Sequence, residues 1–239
     1  MCIRFIKFFA AACFVASIFY SCSGKRDNQL SDQEKKDGWT LLFDGKTTDG
    51  WHLYNAGKVP SKWMVKDGVL YSDTSDQYLQ GDLTTDKEYK NFELTFEWQI
   101  QEQGNSGVFI DVVEKPDLHA TWVSGPEYQL LDKSHPDNAI SNKRSGAMFG
   151  LDSPRTAVNL KPAGEWNQST IKQVNGKVEF YLNGVLTVQE DLNSPSWSAK
   201  VAQSNFKNFP EFGKHLKGHI AFQYWSKGVL LRNIKLREL

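Results

Sequence analysis

The chain has 239 residues, with 28 basic and 28 acidic side chains and a formal net charge of zero at neutral pH. That balance gives no electrostatic case for nucleic acid or for strongly acidic partners. All three cysteines, Cys2, Cys13 and Cys22, fall in the first 22 residues. A disulfide framework, a thiolate metal site and a cysteine nucleophile are therefore excluded from everything after them.

At the N-terminus, Arg4 and Lys7 precede an uncharged apolar run over residues 8–20, too short for an ordinary transmembrane span. It ends in Phe19-Tyr20-Ser21-Cys22, a small residue before cysteine, which resembles the lipobox of bacterial lipoprotein precursors. The expectation is a signal peptide over residues 1–21, a lipidated Cys22, a polar flexible tether to residue 37, and one folded domain over 38–239. Lys25 and Arg26 follow the cysteine without an acidic cluster, which points to an outer-membrane anchor facing the periplasm.

Within the domain the pattern has period two. In residues 92–100, Phe92, Leu94, Phe96, Trp98 and Ile100 share one face, and Glu93, Thr95, Glu97 and Gln99 share the other. A one-residue slip would put five large apolar side chains in water. Gly104-Asn105-Ser106-Gly107 reads as a tight turn leading into a strand at 108–112. The next strand carries Glu127 and Gln129 on one side, with Asp132 and His135 at its end. Asn175-Gly176 and Asn183-Gly184, each between strand-like segments, predict a meander over 169–189, because both residues tolerate positive φ. Residues 204–216 read as an irregular loop with room for a short helix. Residues 218–224 and 229–236 read as closing strands, with Lys227-Gly228 between them. Many short antiparallel strands define a sandwich or a barrel, and a polar sheet face that curves would make a shallow groove for a sugar. The aromatic share of 13%, with eight tryptophans, suits both a sandwich core and sugar-stacking platforms.

The chemistry-bearing residues converge, on this reading, on one sheet face: Glu97 and Gln99 from one strand, Asn105 and Ser106 from the next, Glu127 and Gln129 from a third. Glu97 and Glu127 could form the carboxylate pair of an ordinary glycosidase, although sequence does not give their separation. The histidines after residue 22 are scattered and not at metal-ligand spacing. A hard cation such as Ca²⁺ could instead be held by oxygens of Asp111, Asp132 or loop carbonyls.

Several segments then occur in a particular order: Leu42-Phe43-Asp44-Gly45-Lys46, Gly50-Trp51, residues 63–70, residues 92–98, residues 104–109, residues 127–132 and residues 145–151. Residues 161–167, Leu182-Asn183-Gly184, residues 218–223 and residues 232–239 complete the series. Together they resemble the 3-keto-disaccharide hydrolase domain family. The resemblance implies an all-β fold, a two-sheet antiparallel jelly-roll sandwich of the concanavalin A-like kind. It also implies a 3-keto-glycoside substrate, cleaved by elimination across C1–C2 and then hydration, and a functional link to a sugar 3-dehydrogenase that makes the keto sugar. That chemistry needs a base near C2 and donors for an enolate oxygen. On this resemblance Glu127 or Asp132 is the expected base, with His135 as a further candidate. Asn105, Ser106, Gln129, Lys172 and Gln223 hold the sugar or enolate, with Glu97 as the alternative carboxylate. Tyr224-Trp225-Ser226 stands where many relatives have a histidine or glycine pair, and Trp225 is either a sugar platform or a rim aromatic. The rival readings are a non-catalytic glycan-binding module and an ordinary glycosidase.

Overall fold

The computed structural model describes residues 26–72 and 78–239, so the leader and Cys22 lie outside the described residues. Strands β1 (Thr40–Leu41), β2 (Trp51–Leu53), β3 (Trp63–Lys66), β4 (Val69–Ser72), β5 (Leu83–Thr85) and β6 (Phe92–Ile100) come first. They are followed by β7 (Asn105–Val112), β8 (Glu127–Leu131), β9 (Asn167–Val174), β10 (Lys177–Leu182) and β11 (Val185–Asp191). Strands β12 (His219–Phe222) and β13 (Val229–Glu238) end the chain.

These strands form two antiparallel sheets, the jelly-roll sandwich that the family resemblance implies. The larger has the order β11-β10-β9-β6-β13-β4-β3, with β1 also on β13; the smaller has the order β2-β5-β12-β7-β8. The core lies between them. Phe92, Leu94, Phe96 and Trp98 of β6 are fully buried, as are Tyr128 and Leu130 of β8 and Ile220 and Phe222 of β12. Phe96 meets Tyr128 and Phe222 edge-on, at ring separations of 6.3 and 5.5 Å. Each such side chain contributes roughly 1.5–3 kcal/mol by leaving water. The polar tips are satisfied within the core: Trp98 Nε1 donates to Ser169 Oγ at 2.8 Å, and the Tyr128 hydroxyl meets the same oxygen at 2.7 Å.

Both Asn-Gly turns of the meander have positive φ at both positions, 50° and 80° at Asn175-Gly176 and 48° and 79° at Asn183-Gly184. That geometry fits the right-handed twist of the strands they join. Lys227 and Gly228 also have positive φ, but β12 and β13 belong to different sheets, so this turn carries the chain across the sandwich and closes no hairpin.

Two expectations are corrected. Residues 27–37 are docked and not a free tether. Asn28 exchanges hydrogen bonds with Asn233 (2.6 and 2.8 Å), and helix α1 (Asp32–Lys36) opens on a Ser31/Glu34 capping box. Glu34 also pairs with the buried ammonium of Lys235 at 2.6 Å. Polarity marked this segment as solvated, but its polar groups have partners on the last strand. Second, Asn105 already belongs to β7, so Asn105-Ser106-Gly107 is strand, and the turn is 101–104 with Gln103 at φ 56°. A nine-residue helix α2 (Pro195–Gln203), which the sequence reading did not mark, precedes the loop at 204, capped by Ser194, whose hydroxyl accepts from the Trp197 N–H. Proline at its first turn fits the helix start, and only Trp197 of it is buried, so it has no apolar stripe to read.

Candidate active site

The outer face of the smaller sheet carries a cleft of about 380 Å³. Alternation decides which residues reach it. On β8, Tyr128 and Leu130 enter the core, so Glu127 and Gln129 point outward into the cleft. From β7 comes Asn105, and from the end of β12 comes Gln223. The Gln223 N–H donates to the Gly107 carbonyl at 2.9 Å, and Ser106 Oγ donates to the Gln223 carbonyl at 2.8 Å. Ser106 thus braces the floor from the core side. Residues from loops complete the walls: Trp122, Asp137, Lys143, Phe149, Asn205 and Phe209.

Glu127 is buried at 7% exposure. It lies across β7 at Gly107, where an added Cβ would stand 2.0 Å from Glu127 Oε1. Glycine at 107 is therefore the space in which this carboxyl sits. Burial, with the nearby charge of Asp82 added, pushes the Glu127 pKa well above the usual carboxylate range. Asp82 is held by the Tyr224 N–H (2.8 Å) and by the Thr121 hydroxyl, and burial raises its pKa as well. Two like charges buried this close together favour keeping a proton on one of them.

The Gln129 amide reads this proton. With its nitrogen turned toward Glu127 it donates to Glu127 Oε1 at 3.1 Å and to the Ser106 carbonyl at 3.2 Å. With its nitrogen turned away it faces Asn105 Oδ1 at 3.3 Å, and its oxygen can accept a proton held by Glu127.

Lys143 places its ammonium 3.4 Å from Asp137 Oδ1 and 5.5 Å over the Phe149 ring, and supplies the cation of the cleft lining. Trp122 is fixed edge-on to Phe209 and His119 at 5.0 and 5.2 Å. Trp225 stands at the rim, 57% exposed.

Of the residues expected together, Asn105, Glu127, Gln129, Gln223 and Trp225 share the cleft. Others do not. Glu97 lies on the polar face of β6 in the larger sheet, paired with Arg232 at 2.8 Å. Lys172 of β9 is on that same face, opposite Glu93 of β6, and Gln99 reaches the Gly164 carbonyl. Period two fixed the face of each strand but not which sheet it joins, so the Glu97–Glu127 pair does not exist. Asp132 turns inward: Oδ2 accepts from Ser134 N (2.6 Å), the Ser134 hydroxyl and Gln103 N (3.2 Å). Burial opposes its charge, but those donors win and lower its pKa. It pins the 101–104 turn and has little basicity to offer. His135 Nδ1 accepts from the Asp137 N–H at 3.1 Å, capping a short 3₁₀ turn (Pro136–Ala139). Asp111 and Asp132 lie at opposite ends of β7, and Asp111 Oδ1 accepts from Gln173, so they do not converge on a Ca²⁺ site. Among the described residues no three His, Cys, Asp or Glu groups are arranged to hold a metal ion.

Sequence reasoning missed Asp82, Trp122, Lys143, Asn205 and Phe209. Asp82 precedes a three-residue strand too short to show a period, and the others lie in loops or 3₁₀ turns, where no spacing marks them.

Solved structures share this two-sheet sandwich fold. One from Parabacteroides distasonis ATCC 8503, provisionally described as a glycosyl hydrolase, is 33% identical, covers 90% of this chain and all of its own, and superposes with a TM-score of 0.82. A second from that organism, described in the same way, is 25% identical over 84% of this chain and 99% of its own, with a TM-score of 0.62. A 3-keto-disaccharide hydrolase of Bacteroides thetaiotaomicron is 29% identical, spanning 96% of this chain and 97% of the relative. The chain belongs to the 3-keto-α-glucoside-1,2-lyase-like domain family, whose profile matches residues 38–237, in agreement with the resemblance read from the sequence.

Proposed function

We propose that the protein cleaves 3-keto-glycosides by elimination followed by hydration, with Glu127 as the base. One observation carries this reading: the buried carboxyl of Glu127, its pKa raised, faces a polar cleft with amides beside it, while Glu97, the expected glycosidase partner, lies on the other sheet. A carboxylate whose pKa is raised above its ordinary range is a stronger base for proton abstraction from carbon. The C3 ketone acidifies the C2 proton. Glu127 takes that proton, and the C–H electron pair forms an enolate. As the enolate collapses, C1=C2 forms, the C1–O bond breaks, and the aglycone oxygen leaves and takes up a proton. Water then adds its hydroxyl at C1 and a proton at C2, giving net hydrolysis. Lys143 and the Gln223 amide, both in the cleft lining, stabilise the enolate oxygen, and Asn105 and Gln129 orient the sugar. The rim Trp225 offers its ring face to the aglycone side. We place the protein in the cell envelope, anchored through Cys22 to the outer membrane and facing the periplasm. A sugar 3-dehydrogenase must supply its substrate.

The test incubates the purified protein with a 3-keto-glucoside and, separately, with its unoxidised parent, with and without chelator. Release from the keto sugar alone, with an unsaturated keto sugar as intermediate, supports the reading. Release from the parent sinks the elimination mechanism in favour of a glycosidase, and binding of either without turnover leaves a glycan-binding module. Loss on chelation would add a cation to the mechanism.

A further inference from the structure

A second cavity of about 380 Å³ lies against the other side of the wall that bounds the cleft. The wall is the segment 133–145, with its 3₁₀ turns Pro136–Ala139 and Ser141–Lys143. Neighbouring residues face opposite ways across it: Asp137 and Lys143 line the cleft, and Asn138 and Arg144 line the second cavity. Two cations, Lys133 and Arg144, line that cavity, and no aspartate or glutamate does. Arg144 Nε donates to the Asn138 carbonyl at 2.8 Å, which fixes the guanidinium plane while leaving its other donors available. Among the described residues neither Lys133 nor Arg144 has a salt-bridge partner, whereas Lys143, on the cleft side of the same wall, pairs with Asp137. Ser141 and Asn159 add neutral hydrogen-bonding groups, and Val158 and Leu160 add an apolar side. Uncompensated positive charge, hydroxyl and amide groups and an aliphatic patch together match one kind of ligand: a polyhydroxylated ring with an oxyanion attached.

We propose that this cavity binds a sugar carrying a carboxylate or sulfate, held by Lys133 and Arg144, as a site separate from the cleft around Glu127. The sugar part of the ligand rests on the carbohydrate reading above; the oxyanion part rests on the charge of the cavity alone. Arg144 suits a planar carboxylate or a sulfate because its donors can engage two oxygens at once. Since the same segment positions Lys143 and Asp137, an occupied cavity also stiffens one wall of the cleft.

The experiment is calorimetric titration of the full protein with glucuronate, glucose 6-sulfate, glucose and inorganic sulfate, none of which is a 3-keto substrate. Binding is thus read independently of turnover, and a protein inactive on keto sugars would still return a result. The expected outcome is that glucuronate and glucose 6-sulfate bind at least about tenfold more tightly than glucose. Binding should weaken with salt, as exposed charge pairs do. The double variant Lys133→Ala/Arg144→Ala should weaken glucuronate at least about tenfold, with turnover of the unmodified 3-keto-glucoside unchanged. Lys172→Ala, which removes a charge from the other sheet, should bind as the wild type does. Glucose binding as tightly as glucuronate, no binding of any probe, or full binding by the double variant would each overturn the proposal. Inorganic sulfate binding as tightly as glucuronate would also overturn it, since the sugar would then contribute nothing.

Discussion

Glu127 occupies volume that any side chain at position 107 would fill, and this makes Gly107 a test of how the carboxyl is held. Gly107→Ala should displace Glu127 and cut turnover of a 3-keto-glucoside by about tenfold or more, while Glu127→Gln should cost about 10²–10⁴-fold, the usual range for a general base. Both variants should keep wild-type circular dichroism. The wild-type kcat/KM should rise with pH through a midpoint well above 4.5, because burial and Asp82 hold the Glu127 proton, and Glu127→Gln should lose that limb. A midpoint at an ordinary carboxylate value would remove Glu127 from the role. How much of this was readable in advance differs residue by residue. Glu127 and Gln129 were legible because two polar residues alternate with Tyr128 and Leu130. Glu97 and Lys172 were misread for the same reason: alternation is a property of a strand, and their strands join the other sheet. Lys143 and Asn205 carried no signal, since their positions depend on where loops fold back.

At the scale of elements, the far end of the smaller sheet is tied by a charged cluster. His52 on β2 bonds Asp86 through Nδ1 and Glu114 through Nε2, both at 2.8 Å. Burial disfavours the imidazolium, but the two carboxylates outweigh it and raise the pKa. A raised histidine pKa contributes stability that is complete below the unfolded value of about 6.5 and fades as pH rises through the folded one. His52→Ala should therefore lower Tm more at pH 5.5 than at pH 8.5. An equal loss at both would mean that the ring acts by packing alone. The elements themselves were legible where local chemistry is strong. β6 declares itself by five alternating apolar residues, and the meander by two Asn-Gly pairs that accept positive φ. Helix α2 and the docked segment 27–37 were not, since their partners lie far away in sequence.

For the whole molecule, the stability carried by one buried acid, Asp111, changes with pH across the range below neutrality. Asp111, in β7 at φ 55°, has Oδ1 bonded to Gln173 Nε2 at 2.8 Å and, among the described residues, no hydrogen-bond partner for Oδ2. Burial raises its pKa to about 7. As pH rises past 4 the unfolded chain loses this proton first, and the folded chain keeps it until about 7. The contribution of Asp111 to stability therefore falls across that interval, by up to about 4 kcal/mol, and is level above it. Asp111→Asn, which also suits positive φ, should raise Tm at pH 8 and change it little at pH 4.5. Deleting the residues before Gly38 should lower Tm as well, because Lys235, 2% exposed, would keep its charge and lose Glu34. A melt unchanged by the deletion would show that the docked segment contributes nothing.

Strand β13, the last ten residues but one, lies inside the larger sheet, between β6 and β4, and also carries β1. Its neighbours are made about 130 or more residues earlier, so they must wait with open edges until β13 itself is made. Assembly of this sheet is therefore a late, all-or-nothing event. A polypeptide cut short before residue 229 has a gap through its middle and not a missing edge, which makes the protein a poor candidate for partial folding during synthesis or export.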